Sequence, residues 1–101
     1  MREISREDLL DELQALKSKL QGKGITHVAL FGSRARRDNR VDSDIDLVVE
    51  IDDDRKFSML DLIGVGHDIE DTVGAPANLF VRRSLDPSFL AEVRREQIEI
   101  F

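Results

Sequence analysis

Ile25-Thr26-His27-Val28-Ala29-Leu30-Phe31-Gly32-Ser33 (residues 25–33) is an apolar run closed by glycine and serine. Asp44-Ile45-Asp46-Leu47-Val48-Val49-Glu50-Ile51 (residues 44–51) is a second run, entered through two aspartates. Both have the length and the β-branched or aromatic content of buried strands. Side chains alternate along a strand, so Ile45, Leu47 and Val49 share one face and Asp44, Asp46 and Glu50 the other. The aspartates therefore interrupt the apolar pattern of an otherwise buried strand, and burying two like charges is costly without a cation.

Working outward, residues 5–20 predict a helix. Ser5 and Asp8 have capping-box spacing, and Leu9, Leu13, Leu16 and Leu20 form one apolar face that is most simply core. Gly22 and Gly24 follow where that helix should stop. Asp52-Asp53-Asp54 reads as a turn. Phe57 to Val73 predicts a second helix, with Met59, Leu62, Ile63, Ile69 and Val73 on a common face. Gly64 and Gly66 weaken it by about 1 kcal/mol each relative to alanine. Gly74-Ala75-Pro76 breaks it, Ala77 to Val81 is a short strand, and Asp86-Pro87 starts a last helix with Asp as cap and Pro in the first position. Ile98 to Phe101 reads as that helix's last turn or an edge strand. The alternation of elements predicts one α/β domain over residues 1–101.

Composition sets outer bounds. The chain has 101 residues, a formal net charge of −6, no cysteine and no tyrosine or tryptophan. Net acidity argues against DNA or RNA binding by a basic surface. No apolar run approaches the ~20 residues of a membrane helix, and the charged start from Met1 and Arg2 does not read as a signal peptide. The absence of cysteine excludes disulfides, thiolate metal sites and cysteine nucleophiles, and makes the cytoplasm the expected location.

The charge is strongly patterned. Residues 34–40 hold four arginines and one aspartate, and residues 41–54 hold seven acids and no base. A basic loop running straight into an acidic strand suits an anion together with divalent metal. Asp44 and Asp46 lie ~6.6 Å apart along the strand, so inward-leaning carboxylates could share metals spaced ~3.5–4 Å. Mg²⁺ is commonly held by one or two carboxylates plus substrate phosphates. Gly32 permits close backbone approach, and the Ser33 hydroxyl and the amides after it can donate to phosphate oxygens.

Gly32-Ser33, ten residues, then Asp44-x-Asp46 resembles the signature of the DNA polymerase beta-type nucleotidyltransferase superfamily. Nearly the whole chain resembles the minimal nucleotidyltransferases, stand-alone proteins often encoded beside a HEPN-domain toxin for which they act as antitoxins. The resemblance implies a small mixed β-sheet with helices packed on one face. It implies that Asp44 and Asp46 bind two Mg²⁺ and that Gly32 and Ser33 hold the β- and γ-phosphates of ATP, with Arg34 and Arg36 close by. The implied reaction is in-line attack on the α-phosphate with release of pyrophosphate, leaving AMP on a side chain of the HEPN-type partner.

One position departs from the family. Asn78, in Ala77-Asn78-Leu79-Phe80, stands where the family carries a third catalytic carboxylate. An amide cannot accept a proton and ligates Mg²⁺ more weakly, and loss of general-base help alone costs about 10²–10⁴-fold. Glu50 lies ~13 Å from Asp46 along the strand, too far to substitute. Asp68 and Asp71 could do so only if the glycine-containing helix bends inward. The alternative function is a catalytically impaired antitoxin that neutralises its partner by binding alone. Transfer to a small molecule is disfavoured, since such enzymes usually carry a further acceptor-binding domain. His27 and His67 read as structural. A surplus apolar edge, with Phe89 and Phe101, is open to a partner or a homo-oligomer interface.

Overall fold

A computed structural model describes residues 3–101, so the reading of a charged start at Met1 and Arg2 falls outside the described residues. The Ser5 hydroxyl accepts the Asp8 amide at 3.1 Å and opens α1 (Arg6–Ala15), which is followed by α2 (Lys17–Gly22). The single helix expected over 5–20 is thus two. At Leu16 the backbone tightens, and its amide bonds back to the Leu13 carbonyl at 3.1 Å. The leucine register survives this break, and Leu9, Leu13, Leu16 and Leu20 are all buried.

Four strands form one sheet: β1 (Ile25–Phe31), β2 (Ile45–Ile51), β3 (Ala77–Val81) and β4 (Ile98–Glu99). Their order is β3-β2-β1-β4. β1 runs antiparallel to both β2 and β4, while β2 and β3 are parallel. That parallel pair needs a crossover, which α4 (Met59–Val73) supplies. Ser58 and Asp61 form a complete capping box at its start, a signal the sequence reading did not use. The helix runs unbroken through Gly64 and Gly66. Short α3 (Ser33–Arg36) follows β1, and a 3-10 turn (Arg82–Ser84) leads from β3 to α5 (Pro87–Glu96), capped by Asp86.

Strand alternation produces two apolar layers. Val28, Leu30, Ile45, Leu47 and Val49 pack with the leucines of α1 and α2 and with Val65, Ile69 and Val73 of α4. Ala29, Phe31 and Val48 face the other way and pack with Phe80, Leu85, Phe89 and Val93. The small mixed sheet is as expected, and α1, α2 and α4 do share one face. α5 departs from the one-face arrangement, because Phe89 and Val93 cover Phe31 and Val48 on the opposite face. The apolar face of α4 also differs from expectation. Its core positions are Val65, Ile69 and Val73, while Met59 and Ile63 point outward with Leu60. Phe89 and Phe101 are packed on the core clusters instead of forming a spare edge. Among the described residues, no helix is long and apolar enough to cross a membrane.

Candidate active site

The sheet register brings the polar residues together. Phe31 lies opposite Asp46 across β1 and β2, and Asp46 lies opposite Asn78 across β2 and β3. The Ile45 amide bonds the Pro76 carbonyl at 2.8 Å, which pins the entry of β2 beside β3. Asp44, exposed just ahead of β2, and half-buried Asp46 then converge on Asn78. The Asn78 amide nitrogen donates to Asp44 Oδ2 at 3.2 Å and to Asp46 Oδ1 at 3.1 Å. Its two N–H groups therefore aim partial positive charge at both carboxylates. Phe31, Phe80 and Phe89 lie in successive edge-to-face contacts, with centroids 5.4–5.8 Å apart, on this same face of the sheet.

β1 leads directly into the turn beside these carboxylates. Gly32 has φ +77°, and a Cβ there would lie 2.5 Å from Asp46 Oδ2. Only glycine lets the backbone pass this close to the carboxylate. The Ser33 hydroxyl and the amides of Ser33 and Arg34 make no hydrogen bond among the described residues. They are the free donors of the turn.

Two contacts at this turn were not legible from local sequence. Glu96 Oε1 accepts the Gly32 amide at 2.9 Å, and its Oε2 accepts Arg36 at 2.9 Å. Arg36 also donates to Asp38 at 3.0 Å. The Asp38 hydrogen bond, then that from Glu96, holds the Arg36 guanidinium above its ordinary pKa. Arg36 thus stays at the turn but is already paired with two carboxylates. Glu96 lies 60 residues from Arg36 in sequence. One signal could have flagged it: an acid in the last turn of a helix opposes the helix dipole, which favours cations there.

Arg34 corrects an expectation. Its side chain does not line the Gly32–Ser33 turn; it is 2 % exposed. Its Nε donates to the Ser43 carbonyl at 3.1 Å, and its terminal nitrogen donates to Ser43 at 2.9 Å and Val41 at 3.4 Å. A guanidinium offers planar, multiple donors, so burial is satisfied by turning it into the loop's carbonyls. Among the described residues, no acidic side chain joins Asp44 and Asp46 in place of Asn78. Glu50 pairs with Arg82 at 3.6 Å. Asp68 pairs with Lys19 and Lys23, and Asp71 lies on α4, which packs against the sheet face opposite Asp46. Hydrogen bonding from Lys23, foremost, holds the Asp68 carboxyl below its ordinary pKa. His27 faces Glu99 at 4.0 Å.

Among the described residues, no cluster of three or more His, Cys, Asp or Glu side chains is arranged to hold a metal. The donor set at the site is two carboxylates and one amide, with a glycine cradle that a Cβ would fill. Two carboxylates beside free phosphate-type donors are a donor set that fits Mg²⁺.

The polymerase beta nucleotidyltransferase family profile matches residues 14–101. The chain belongs to this family. Within the nucleotidyltransferases it resembles two Methanocaldococcus jannaschii proteins that carry the provisional name protein adenylyltransferase. One is 27 % identical over 76 % of this chain and 81 % of its own length. The other is 29 % identical over 92 % and 90 %. A solved structure described provisionally as a minimal nucleotidyltransferase superposes with a TM-score of 0.83 and 31 % identity, covering 97 % of this chain and 98 % of that one. Two further structures share the fold. One is a toxin–antitoxin pair with AMP-PNP, with a TM-score of 0.72, 17 % identity, and 90 % and 73 % coverage. The other is a tri-AMPylated Shewanella oneidensis HEPN toxin in complex with its MNT antitoxin, with a TM-score of 0.67, 14 % identity, and 92 % and 71 % coverage.

Proposed function

We propose that this nucleotidyltransferase transfers AMP from ATP to a partner protein of the HEPN toxin class and neutralises it as an antitoxin. The carrying observation is the convergence of Asp44, Asp46 and Asn78 beside a glycine–serine turn whose first amides and hydroxyl are free. The adenylyltransferase names of the M. jannaschii relatives support the reaction class, and the toxin–antitoxin neighbours support the partner class. An ATP-consuming reaction and a cysteine-free chain both fit the cytoplasm.

Mg²⁺ held by Asp44 and Asp46 would neutralise the triphosphate and stabilise charge developing at the α-phosphate. The chain's own groups do the positioning. The Ser33 hydroxyl and the Ser33 and Arg34 amides donate to the β- and γ-phosphate oxygens, and Gly32 leaves them room to approach. An acceptor oxygen of the partner forms a bond to the α-phosphorus, and the bond to the leaving pyrophosphate breaks. The acceptor's proton passes to solvent, because the Asn78 amide cannot take it.

The Asn78 bridge favours a second reading, in which its amide occupies the carboxylate pair and the protein neutralises by binding alone. Transfer of label from α-phosphate-labelled ATP to a co-produced HEPN partner separates the two. Label from wild type that vanishes in Asp46→Asn establishes the transferase. No label from wild type but label from Asn78→Asp establishes the silent binder. Label undiminished by Asp46→Asn refutes the site.

A further inference from the structure

We infer that Arg34 is a positioning residue, one that sets Asp44 for metal binding while its own side chain touches no nucleotide. The inference rests on the reading of Asp44 and Asp46 as the metal pair. Arg34 is the buried charged side chain of the described core, at 2 % exposure. The three hydrogen bonds of its side chain all end on Val41 and Ser43 carbonyls. Ser43 is the residue immediately before Asp44. The same residue is held from its other side, since its hydroxyl accepts the Arg40 amide at 2.8 Å and its own amide donates to the Arg40 carbonyl at 3.1 Å. The loop bends sharply at Arg37, which has φ +64°.

Asp44 lies just outside β2, so ladder hydrogen bonds do not fix its backbone. The guanidinium supplies that restraint. Arg34 also belongs to α3, directly after Ser33, so one side chain joins the phosphate turn to the segment carrying the first carboxylate. Lysine does not reproduce it, because its ammonium lacks the rigid planar fork whose Nε–H and terminal N–H groups set these three hydrogen bonds together. A metal bound through two carboxylates loses affinity steeply when one is set free to wander.

The test is Mn²⁺ binding by the full chain, read from the electron paramagnetic resonance of free ion, at a temperature where each variant is fully folded. Wild type, Arg34→Lys, Asp44→Asn and a buried control, Val73→Ala, are compared. The expected result is at least a tenfold weaker Mn²⁺ Kd for Arg34→Lys, approaching Asp44→Asn, with Val73→Ala at the wild-type value. Equal Kd for Arg34→Lys and wild type overturns the positioning role. A parallel loss in Val73→Ala also overturns it, because general destabilisation then accounts for the effect. Absence of Mn²⁺ binding by wild type instead refutes the metal pair itself. If Arg34→Lys fails to fold, the Arg34 Nε–H resonance of wild type is followed during Mg²⁺ titration. It should shift along the Mg²⁺ binding curve and stay fixed in Asp44→Asn; a resonance indifferent to Mg²⁺ in wild type overturns the proposal.

Discussion

Replacing Asn78 with Asp should change the protein in opposite directions with and without divalent metal. In wild type the Asn78 amide donates to both carboxylates, at 3.1 and 3.2 Å. The substitution removes both donors and puts a third negative group in their place. Hydrogen bonds to charged groups contribute about 1.5–3 kcal/mol when shielded. Asn78 and Asp44 are exposed, so about 0.5–1 kcal/mol for each bond is the fair figure here. Two new like-charge contacts near 4 Å add about 1 kcal/mol each at the dielectric of water. The sum is about 3–4 kcal/mol, a fall in Tm of roughly 12–32 °C for a domain of this size. Saturating Mg²⁺ should shrink or reverse that gap, since a third carboxylate strengthens ion binding and each tenfold gain in affinity returns about 1.4 kcal/mol. Thermal melts in chelator and in Mg²⁺, for wild type and Asn78→Asp, measure both effects. A gap that is the same in both buffers would show that these side chains do not form a cation pocket. An Asn78→Asp protein as stable as wild type in chelator would show that the amide does not offset the aspartate charges.

Three further outcomes follow from the geometry. Gly32→Ala forces a Cβ against Asp46 at a backbone conformation that only glycine adopts readily, so it should lower stability by roughly 2–4 kcal/mol in urea unfolding and weaken Mn²⁺ binding; a midpoint within error of wild type contradicts the close approach. Gly64→Ala meets open space in mid-helix and should raise stability by about 0.5–1 kcal/mol in the same assay. Asp68→Asn should cost at most about 1 kcal/mol at pH 7, because the Lys23 and Lys19 pairing is solvent-screened. The native Asp68 carboxyl titrates below its unfolded value, so its contribution is present above about pH 4 and is lost as pH falls through the lower native value. Unfolding curves of the two proteins should therefore converge in acid.

Much of the architecture was legible because it rests on periodicity. The alternation in 44–51 assigns Leu47 and Val49 to the core and Asp46 to the opposite face, which is how they lie. Asn78 was singled out by the family resemblance, and the parallel β2–β3 register sets it opposite Asp46. The missed features depend on tertiary packing. Periodicity in α4 admitted Met59 and Ile63 as readily as Val65, and only the placement of the helix over the sheet chose between them. Arg34 looked like its neighbour Arg36, because sequence does not say which of two arginines turns inward. Glu96 reaches Gly32 across 64 positions, beyond any local pattern.

That last contact gives the site an order of assembly. The turn at Gly32 is completed by a carboxylate from α5, so the chain as far as Glu96 must be in place before the turn has its full set of partners. Closing a contact across 64 positions costs more chain entropy than forming the local helices or pairing β1 with β2. During synthesis the first two strands can meet early, yet the grip on Gly32 and Arg36 waits for α5 to leave the ribosome. A chain cut short within α5 would keep Asp44 and Asp46 while losing the clasp of Glu96 on the turn beside them.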